Sequence, residues 1–432
     1  MNETVLDCEL LLTAPGEQPP LLNRRLTIAG GQITEIAPRP EDDPSAATIR
    51  VITPGLVNNH QHLAYEPLPG QQPADPVSWL KAVTTQSRQQ SLATQLAITE
   101  RNCQLTRQCG ISTVIENNFL PALAPVVAES GLNAIFGLEV FGVNAPSASQ
   151  KVRRYLETLQ QLRSDPKSSR LHYVLAPHSI YNLSTPMLQA LAEQTDGPLL
   201  MHLAEFDFEA ELTQNGERPA ALSAFHEQLR LVVSDRDFWT AGRGLSPVGY
   251  LAQLGLLSER LLLTHLVTAD QQDLVALASA AVPVVSCPVS NQRLCRRLAP
   301  LPLMHQHGLD VCFGTDGLGS SDDFDLLAAL RLVHRQYPAL PLSWLWSGVT
   351  GRAGRIWAQL AGQQGSPPGQ LSTGSAADLC CWQLSGPAAA GLRDLLSAQD
   401  QNQQWQEELL GYLLTELTAR EHLISLWLKG QA

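Results

Sequence analysis

Four residues that could bind one metal ion follow short apolar runs of the sequence. His60 and His62 end a run that finishes PGLVNN, and side chains two positions apart on an extended strand point to the same side. His202 ends the run PLLMH, and Asp316 ends LDVCFGTD. Imidazole nitrogens and a carboxylate oxygen, without thiolates, suit Zn²⁺, Fe²⁺ or Mn²⁺ and leave room for a water molecule. The pattern therefore predicts one divalent metal ion that activates a bound water.

Two further side chains at the same kind of position could move protons. Glu205 lies three residues after His202, and His265 ends the run LLLTH. Hydrolysis needs a group that protonates the atom gaining electrons, and Glu205 is the natural candidate because it need not bind the metal itself. A single histidine at a strand end is more often structural than a ligand. The hypothesis of a site rests on several strands ending in such residues together.

The elements that carry these residues read as alternating strands and helices. After Pro54, short apolar runs alternate with segments of helical spacing, which is typical of βαβ units around a parallel sheet. Eight runs are found, at 51–59, 111–117, 133–140, 171–177, 198–205, 261–267, 282–288 and 309–316. Eight such units predict an α/β fold of the (β/α)₈ TIM-barrel type, with function at the carboxyl ends of the strands. An open doubly wound sheet is the alternative, although it does not normally contain eight units in a row.

Both ends of the chain read as β-structure outside the barrel. The first fifty residues contain three strand-like runs, and Gly30-Gly31 forms a good hairpin turn. ADLCCWQL and LISLWLKG near the other end also read as strands, separated by a helical stretch from Ala388 to about Glu421. We therefore expect a small β-sandwich-like domain built from residues 1–53 and 366–432, and a barrel domain from 54 to 365.

Composition excludes several classes of partner. The 432 residues are 44% hydrophobic and 16% charged, which suits a large buried core. A net charge of −12 argues against nucleic acid or anionic membrane as a partner. The N-terminus lacks the pattern of a signal peptide and no apolar stretch is long enough to span a membrane, so a cytoplasmic location is expected. The eight cysteines show no CxxC spacing and are expected to be reduced thiols.

The motifs together resemble those of the amidohydrolase superfamily, in its cytosine-deaminase-like branch with one metal ion. They occur in order along the chain as PGLVNNHQHL, APHSIY, HLAE, THLV, SCPVSNQRL and FGTDGLGSSDDFDLL. The blocks PVSWLKAVTTQSR, GLEVFG and GLSPVGYLAQLGLL are similar to those of deaminases acting on 5′-substituted adenine nucleosides. Among these, aminodeoxyfutalosine deaminases look closest, followed by methylthioadenosine/S-adenosylhomocysteine deaminases.

The resemblance implies a role for each residue of the site. His60, His62, His202 and Asp316 would hold one metal ion, with zinc first and iron or manganese next. Glu205 would protonate a ring nitrogen and pass protons to the leaving amine. His265 would orient the attacking hydroxide, and Asp316 would also accept its proton. Three residues, His178, Ser290 and Asn291, would line the substrate pocket. A homodimer is also expected, because members of this branch are often dimers.

The sequence therefore predicts a hydrolase that releases ammonia from a 5′-substituted adenine nucleoside. The alternative on the same metal centre is hydrolysis of another nitrogen heterocycle, of the s-triazine, pterin, guanine or imidazolone type. The presence of both Glu205 and His265 favours deamination, since protonating a ring nitrogen is what that chemistry needs. The non-enzymatic alternative is a binding protein that retains the metal, and no lost acid/base residue points to it.

Overall fold

The structure is a computed structural model that describes residues 3–39, 47–69, 75–143, 147–216, 218–229, 243–397 and 402–429. Its strands are β1 (Glu3–Leu11), β2 (Leu21–Ala29), β3 (Gln32–Pro38), β4 (Thr48–Pro54), β5 (Leu56–His62), β6 (Ile111–Asn118), β7 (Asn133–Val140), β8 (His172–Pro177), β9 (Leu199–Leu203), β10 (Leu261–His265), β11 (Val284–Ser286), β12 (Val311–Phe313), β13 (Asp316–Gly317), β14 (Leu379–Ser385) and β15 (Leu423–Trp427).

Helices fill most of the connections between the strands. They are α1 (Pro76–Gln89), α2 (Leu92–Gln108), α3 (Ala124–Glu129), α4 (Ala148–Ser164), α5 (Thr185–Gln194), α6 (Asp207–Asn215), α7 (Ala220–Gln228), α8 (Pro247–Gln253), α9 (Gln271–Ser279), α10 (Pro288–Cys295), α11 (Leu301–Gln306), α12 (Leu326–Gln336), α13 (Leu342–Ser347), α14 (Gly351–Ala361), α15 (Gly386–Leu396), α16 (Gln403–Glu416) and α17 (Ala419–His422), with a 3₁₀ turn at Pro121–Leu123. Within the described residues, no helix combines the length and the apolar character needed to cross a bilayer. The cytoplasmic location stays a prediction.

The central sheet is a parallel barrel of the predicted TIM type. Strands β5 to β12 pair in sequence order, and the two-residue strand β13 pairs with β5 beside the first strand. Each of the eight predicted runs contains one of the strands β5 to β12, so the α/β fold class is confirmed. The first predicted run differs in one respect, because its residues before Gly55 belong to β4 of another sheet. A Cβ atom at Gly55 would lie 2.4 Å from the Ser112 hydroxyl oxygen, so only glycine allows this close approach where the chain changes sheets.

One end of the barrel is filled by apolar side chains. A buried cluster takes at least one residue from each of the eight strands β5 to β12, among them Val57, Ile115, Ile135, Val174, Leu200, Leu262, Val285 and Cys312. Ala353, Ile356 and Trp357 of α14 pack into the same cluster, and the Trp357 indole donates a hydrogen bond to the Val114 carbonyl at 3.0 Å. This packing fills the interior of the barrel at its amino-terminal end, so the predicted site is expected toward the carboxyl ends of the strands.

The two chain ends build a separate mixed sheet, as predicted. Its strand order is β15-β14-β4-β1-β2-β3, and the hairpin between β2 and β3 turns at Gly30 and Gly31, both with positive φ. Cys380 packs in the cluster that includes the barrel helices, whereas Cys381 packs in the cluster of the outer face, as expected for neighbours on a strand. Its six strands form one hydrogen-bonded sheet in the described part of the chain. The sandwich-like form and the proposed domain boundaries stay predictions.

The predicted helical stretch near the C-terminus contains α15, α16 and α17. Helix α16 packs on the barrel, where the Glu407 carboxylate accepts hydrogen bonds from the backbone N–H groups of Leu342 and Ser343 at the start of α13. The Trp346 indole of α13 donates in return to the Leu410 carbonyl at 3.1 Å. These contacts fix the tail against the barrel helices.

Candidate metal centre and active site

Three histidines and one aspartate converge at the carboxyl ends of the barrel strands. His60 and His62 end β5, His202 lies in β9, and Asp316 begins β13. The Nε2 atom of His202 lies 3.2 Å from Nε2 of His60 and 3.3 Å from Nε2 of His62. The Asp316 Oδ1 atom lies 3.7 Å from the same nitrogen of His60 and 3.6 Å from that of His62. The structure thus brings together all four predicted ligands.

The spacing of these atoms suits one metal ion. Four ligands in tetrahedral geometry at about 2.0 Å from zinc are separated from one another by about 3.3 Å. The measured separations run from 3.2 to 3.7 Å, and the three histidine rings form a recognisable metal-binding group. The residues present therefore fit a mononuclear divalent cation.

Hydrogen bonds behind the ligands orient the imidazole rings. The Nδ1 atom of His62 lies 2.9 Å from the carbonyl oxygen of Asn117, and that of His202 lies 2.8 Å from the carbonyl oxygen of His178. A carbonyl only accepts, so both Nδ1 atoms carry the proton and both Nε2 lone pairs face the centre. For His60, the Thr264 hydroxyl lies 3.5 Å from Nδ1.

The surroundings of His60 and His202 favour the neutral form of both rings. Burial lowers the pKa of His60 to about 4 and lowers the pKa of His202 well below its ordinary value, because a charged ring would lose its hydration. Neighbouring histidines act in the same direction on both. Neutral imidazole is the form that binds a metal, so at neutral pH protons compete weakly for these ligands.

Asp316 is held as a charged ligand by its neighbours. Burial alone would raise its pKa, but hydrogen bonding to His60 and the electrostatic effect of the surrounding histidines outweigh burial and hold the pKa well below the ordinary value. Its Oδ2 atom accepts hydrogen bonds from the Ser290 and Ser320 hydroxyls, each at 2.7 Å. The other oxygen, Oδ1, is thereby left to face the histidines.

The backbone around these ligands is tight and locally strained. Asp316 has a φ of +60° and His265 a φ of +82°, conformations that non-glycine residues rarely adopt. A Cβ atom at Gly314 would lie 2.8 Å from the His60 carbonyl oxygen, so the glycine before Thr315 lets β13 approach β5. Strain of this kind persists where surrounding structure fixes a functional geometry.

Glu205 and His265 form an acid/base pair beside the metal ligands. The Glu205 Oε2 atom lies 3.7 Å from Nε2 of His265. Burial, followed by the negative charge of Asp316, raises the pKa of Glu205 well above its ordinary value, which favours the protonated carboxyl group. Burial lowers the pKa of His265, which keeps this ring neutral. One group can therefore donate a proton while the other accepts a hydrogen bond.

The loop that carries Glu205 is held by a second buried carboxylate. Glu209 accepts hydrogen bonds from the backbone N–H groups of Ala204 at 3.1 Å, Glu205 at 2.8 Å and Phe206 at 3.1 Å. These three bonds fix the turn between β9 and α6, where Ala204 has a φ of +52°. Glu209 therefore positions the acid group without facing the cavity.

A cavity of about 490 Å³ opens over the metal ligands and the acid/base pair. Of the predicted site residues, those that line it are His62, His178, His202, Glu205, His265 and Asp316. His60 lies beneath them, at 1% exposure. Ser290 and Asn291 are not among the lining residues: the first bonds to Asp316, and the second lies 2.8 Å from Nδ1 of His265. Their predicted contact with substrate stays a prediction.

Several residues of the site were not singled out from the sequence. Asn117, Glu139 and Glu209 are buried around the metal ligands, and Lys151 lines the cavity from α4. Asn117 and Glu139 lie near the carboxyl ends of β6 and β7, the same kind of position that identified the histidines. The sequences ISTVIENN and NAIFGLEV therefore did place a polar residue near the end of a predicted strand. Asparagine and glutamate are too common at strand ends for this position alone to indicate a site.

Comparison with known proteins agrees with this architecture. Residues 51–343 match the amidohydrolase family. The chain belongs to the amidohydrolase family. It is accordingly a metal-dependent amidohydrolase, a hydrolase acting on carbon–nitrogen bonds, with a histidine-rich metal site in the barrel.

Curated relatives of the chain are nucleoside deaminases at modest identity. The chain is 27% identical to 5′-deoxyadenosine deaminase of Methanothrix thermoacetophila, over 72% of this chain and 70% of that protein. It is 28% identical to 5-methylthioadenosine/S-adenosylhomocysteine deaminase of Nitratidesulfovibrio vulgaris, over 84% and 80%. It is 27% identical to aminodeoxyfutalosine deaminase of Deinococcus radiodurans, over 78% and 81%.

Solved structures share the whole fold at lower identity. Aminofutalosine deaminase of Helicobacter pylori, in complex with methylthio-coformycin, gives a TM-score of 0.74 at 18% identity, covering 99% of both chains. A zinc-bound adenosine deaminase of Xanthomonas campestris gives a TM-score of 0.72 at 21% identity, covering 99% of this chain and 92% of that protein. Atrazine chlorohydrolase of Arthrobacter aurescens, complexed with zinc, gives a TM-score of 0.71 at 20% identity, covering 99% of this chain and 94% of that protein. At these identities the likeness establishes the fold.

Proposed function

We propose that this protein is a zinc-dependent deaminase of 5′-substituted adenine nucleosides, of the aminodeoxyfutalosine, methylthioadenosine or S-adenosylhomocysteine type. The observation that carries the proposal is the pairing of Glu205 with His265, 3.7 Å apart, in the wall of the cavity beside the metal ligands. Deamination of an aromatic ring needs a proton on a ring nitrogen and protons on the departing amine. A buried, protonated carboxyl group supplies the first and, once ionised, can transfer the others.

The metal would be held by His60, His62, His202 and Asp316. When bound, a zinc ion lowers the pKa of water at the site, so that hydroxide is available near neutral pH. Zinc is favoured because all four ligand atoms are nitrogen or carboxylate oxygen, and because the adenosine deaminase and the chlorohydrolase of similar fold contain it.

The chain's own residues move the protons of the reaction. Asp316 is charged, so its Oδ1 atom can accept a proton from the attacking water. His265 is held with its proton on Nδ1, toward Asn291, which leaves Nε2 free to orient that water. Glu205 donates to the ring nitrogen next to the attacked carbon. A carbon–oxygen bond forms as the water gives one proton to Asp316. The carbon–nitrogen bond then breaks as the amine takes up that proton by way of Glu205 and leaves as ammonia, and the proton of the new hydroxyl group returns to Glu205 as the ring carbonyl forms.

The walls of the cavity support a nucleoside with a 5′ substituent. Trp79, Phe141 and Tyr181 offer apolar surface to a flat base. Arg88 and Lys151 line the same cavity from α1 and α4, and they place positive charge where a negatively charged substituent could bind. The relatives that deaminate 5′-modified adenine nucleosides support the same class of substrate.

Ammonia release by zinc-loaded protein tests the proposal. We expect turnover of at least one substrate among 5′-deoxyadenosine, methylthioadenosine, S-adenosylhomocysteine and aminodeoxyfutalosine, and none of guanine, isoxanthopterin or an s-triazine. Activity confined to one of the last three compounds would overturn the substrate while keeping the metal centre. The predicted homodimer is supported by the family resemblance alone, and light scattering of the purified protein tests it.

A further inference from the structure

Glu139 is a buried carboxyl group in the cavity wall that no part of the mechanism above uses. It lies in β7, next to the last residue, and its exposed fraction is 2%. Its Oε1 atom has no hydrogen-bond partner within the described part of the chain. The side chain lines the cavity that opens over the metal ligands. A polar atom this deeply buried, facing a binding cavity, calls for a partner that the protein itself does not supply.

A neighbouring glutamate defines what a structural role would look like. Glu116 lies in β6, the adjacent strand, and is 0% exposed. It accepts a hydrogen bond from the Leu63 backbone N–H at 2.8 Å and another from the Asn118 side-chain amide at 2.9 Å. Glu116 thus has partners on both oxygens, whereas Glu139 on the neighbouring strand has an unpaired oxygen, which costs free energy in the unliganded protein.

His178 lies beside Glu139 and also presents a free ring nitrogen. A carboxylate oxygen of Glu139 and ring nitrogens of His178 and His202 all lie within 4.8 Å of one another. The Nδ1 atom of His178 is occupied, at 2.9 Å from the Ser179 hydroxyl and 3.2 Å from the Asn182 amide. Its Nε2 atom is the remaining polar atom of the ring, so the cavity wall offers a carboxylate and an imidazole nitrogen side by side.

A second cation is a poor explanation for this pair. A divalent ion between Glu139 and His178 would need a third ligand, and the nearest is His202. Both ring nitrogens of His202 are already engaged, because Nδ1 bonds to the His178 carbonyl at 2.8 Å and Nε2 belongs to the four-ligand centre. Donors from a bound organic molecule require no such rearrangement.

The chemistry of the substrate class selects the donor. The hydrogen-bond donors that all the proposed 5′-substituted adenine nucleosides share are the 6-amino group and the 2′- and 3′-hydroxyls of the ribose. The 6-amino group must lie at the metal centre, beside Glu205 and Asp316, because it is the group that leaves. A carboxylate only accepts, and two adjacent hydroxyls match its two oxygens. We propose, building on the function proposed above, that Glu139 and His178 bind the ribose 2′- and 3′-hydroxyls and make the enzyme selective for ribonucleosides.

Paired substrates measure this role directly. Zinc-loaded wild-type protein and Glu139→Met are each given 5′-deoxyadenosine and its 2′,3′-dideoxy counterpart, with kcat/KM from ammonia release and Kd from calorimetry. Methionine keeps the volume and removes both acceptors. For wild type we expect a preference for the hydroxylated nucleoside on the order of 10- to 100-fold in both readouts. For the variant we expect this preference to fall below about 3-fold, with binding of the dideoxy compound little changed.

The control variant is Glu116→Gln. It removes a carboxylate that has partners, so we expect a lower melting temperature and no specific effect on the preference for hydroxyls. Glu139→Met should melt at or above the wild-type temperature without ligand, because it removes an unpaired group.

Three outcomes would overturn the inference: equal Kd values of wild type for the two nucleosides, an equal loss of both in Glu139→Met, or a second equivalent of zinc that depends on Glu139. Selective binding without ammonia release would instead reject the proposed deamination and leave the hydroxyl site standing.

Discussion

The Nδ1 atom of His265 lies 2.8 Å from the side-chain oxygen of Asn291. An amide oxygen only accepts, so this contact fixes the imidazole proton on Nδ1 and leaves Nε2 unprotonated toward Glu205. Asn291 was expected to line the substrate pocket, yet it stands behind a residue that does. In this arrangement Asn291 affects catalysis by orienting the His265 imidazole.

Asn291→Leu tests that relationship. Leucine has a similar shape but accepts no hydrogen bond, so the His265 proton loses its partner, and we expect kcat to fall on the order of 10- to 100-fold with zinc content unchanged. Asn291→Asp restores an acceptor and adds a negative charge, so the pH profile of kcat should shift upward in the limb that reports His265. A change confined to KM, with an unaltered profile, would favour direct contact with substrate instead.

Glu205→Gln separates an enzyme from a metal-retaining binding protein. Glutamine keeps the size of the side chain and cannot donate a carboxyl proton, so we expect kcat to fall by about 10²- to 10⁴-fold while one zinc ion per chain is retained. Glu211→Gln, an exposed position on the following helix α6, is the matched control and should behave as wild type. Ammonia release and metal analysis on the same preparations give the answer. Full activity of the Glu205 variant would contradict the proposed acid.

Removing the metal should cost both turnover and stability. Four ligands converge only in the folded chain, so zinc binds the native state in preference to the unfolded one. We expect chelation to abolish ammonia release and lower the melting temperature, and zinc at 100 times its Kd to restore about 2.7 kcal/mol. His202→Asn is the control, since it should show no zinc-dependent shift in calorimetry. An equal shift in that variant would place the bound zinc elsewhere.

Metal retention should persist well below the ordinary pKa of histidine. The pKa of His60 is lowered to about 4, so this ligand stays neutral in the folded chain while histidines of the unfolded chain take up protons from about pH 6.5 downward. A depressed pKa of this kind makes folding less favourable as pH falls below 6.5, and it keeps the ligand competent until pH approaches 4. Zinc content after dialysis at pH 7, 6, 5 and 4 checks the expectation. Half of the zinc lost near pH 6.5 would refute it.

Lys151→Met should alter the preference for charged 5′ substituents. Lys151 lines the cavity and makes no ion pair within the described residues, so its charge is available to a carboxylate of the substrate. We expect kcat/KM for S-adenosylhomocysteine or aminodeoxyfutalosine to fall on the order of 10-fold, and that for methylthioadenosine to change less than about 2-fold. The exposed Lys167→Met serves as the control. An equal loss for neutral and charged substrates would assign Lys151 another role.

The sequence was sufficient to predict the barrel and the convergence of the metal ligands, and the reason is physical. Parallel strands bring their carboxyl ends to one rim, so His60, His202 and Asp316 could be brought together without knowledge of any contact. The run that begins at Val51 could not be divided in the same way. Both halves are apolar, and the change of sheet at Gly55 is seen only in the strand pairing, where β4 pairs with β1 and β14 and β5 pairs with β6.

The direction of individual side chains was the part that the sequence could not supply. Ser290 and Asn291 lie on the first turn of α10, and the rotation of that helix decides whether they face the cavity or the residues behind it. The rotation depends on packing across the barrel, which places Ser290 on Asp316. Glu139 was overlooked for a related reason, because an unpaired oxygen is recognised only when all of its neighbours are known.

The packed layer that joins α14 to the eight strands also affects how substrate and products reach and leave the active site. Among the described residues it fills the barrel interior at one end, so under the proposed chemistry the nucleoside and its products share the cavity at the other end. A product that remains bound in this cavity prevents the next substrate from binding. Under the proposed chemistry, the deaminated nucleoside therefore slows turnover when it accumulates, because it occupies the cavity. The turnover rate then depends in part on how quickly a later reaction consumes this product.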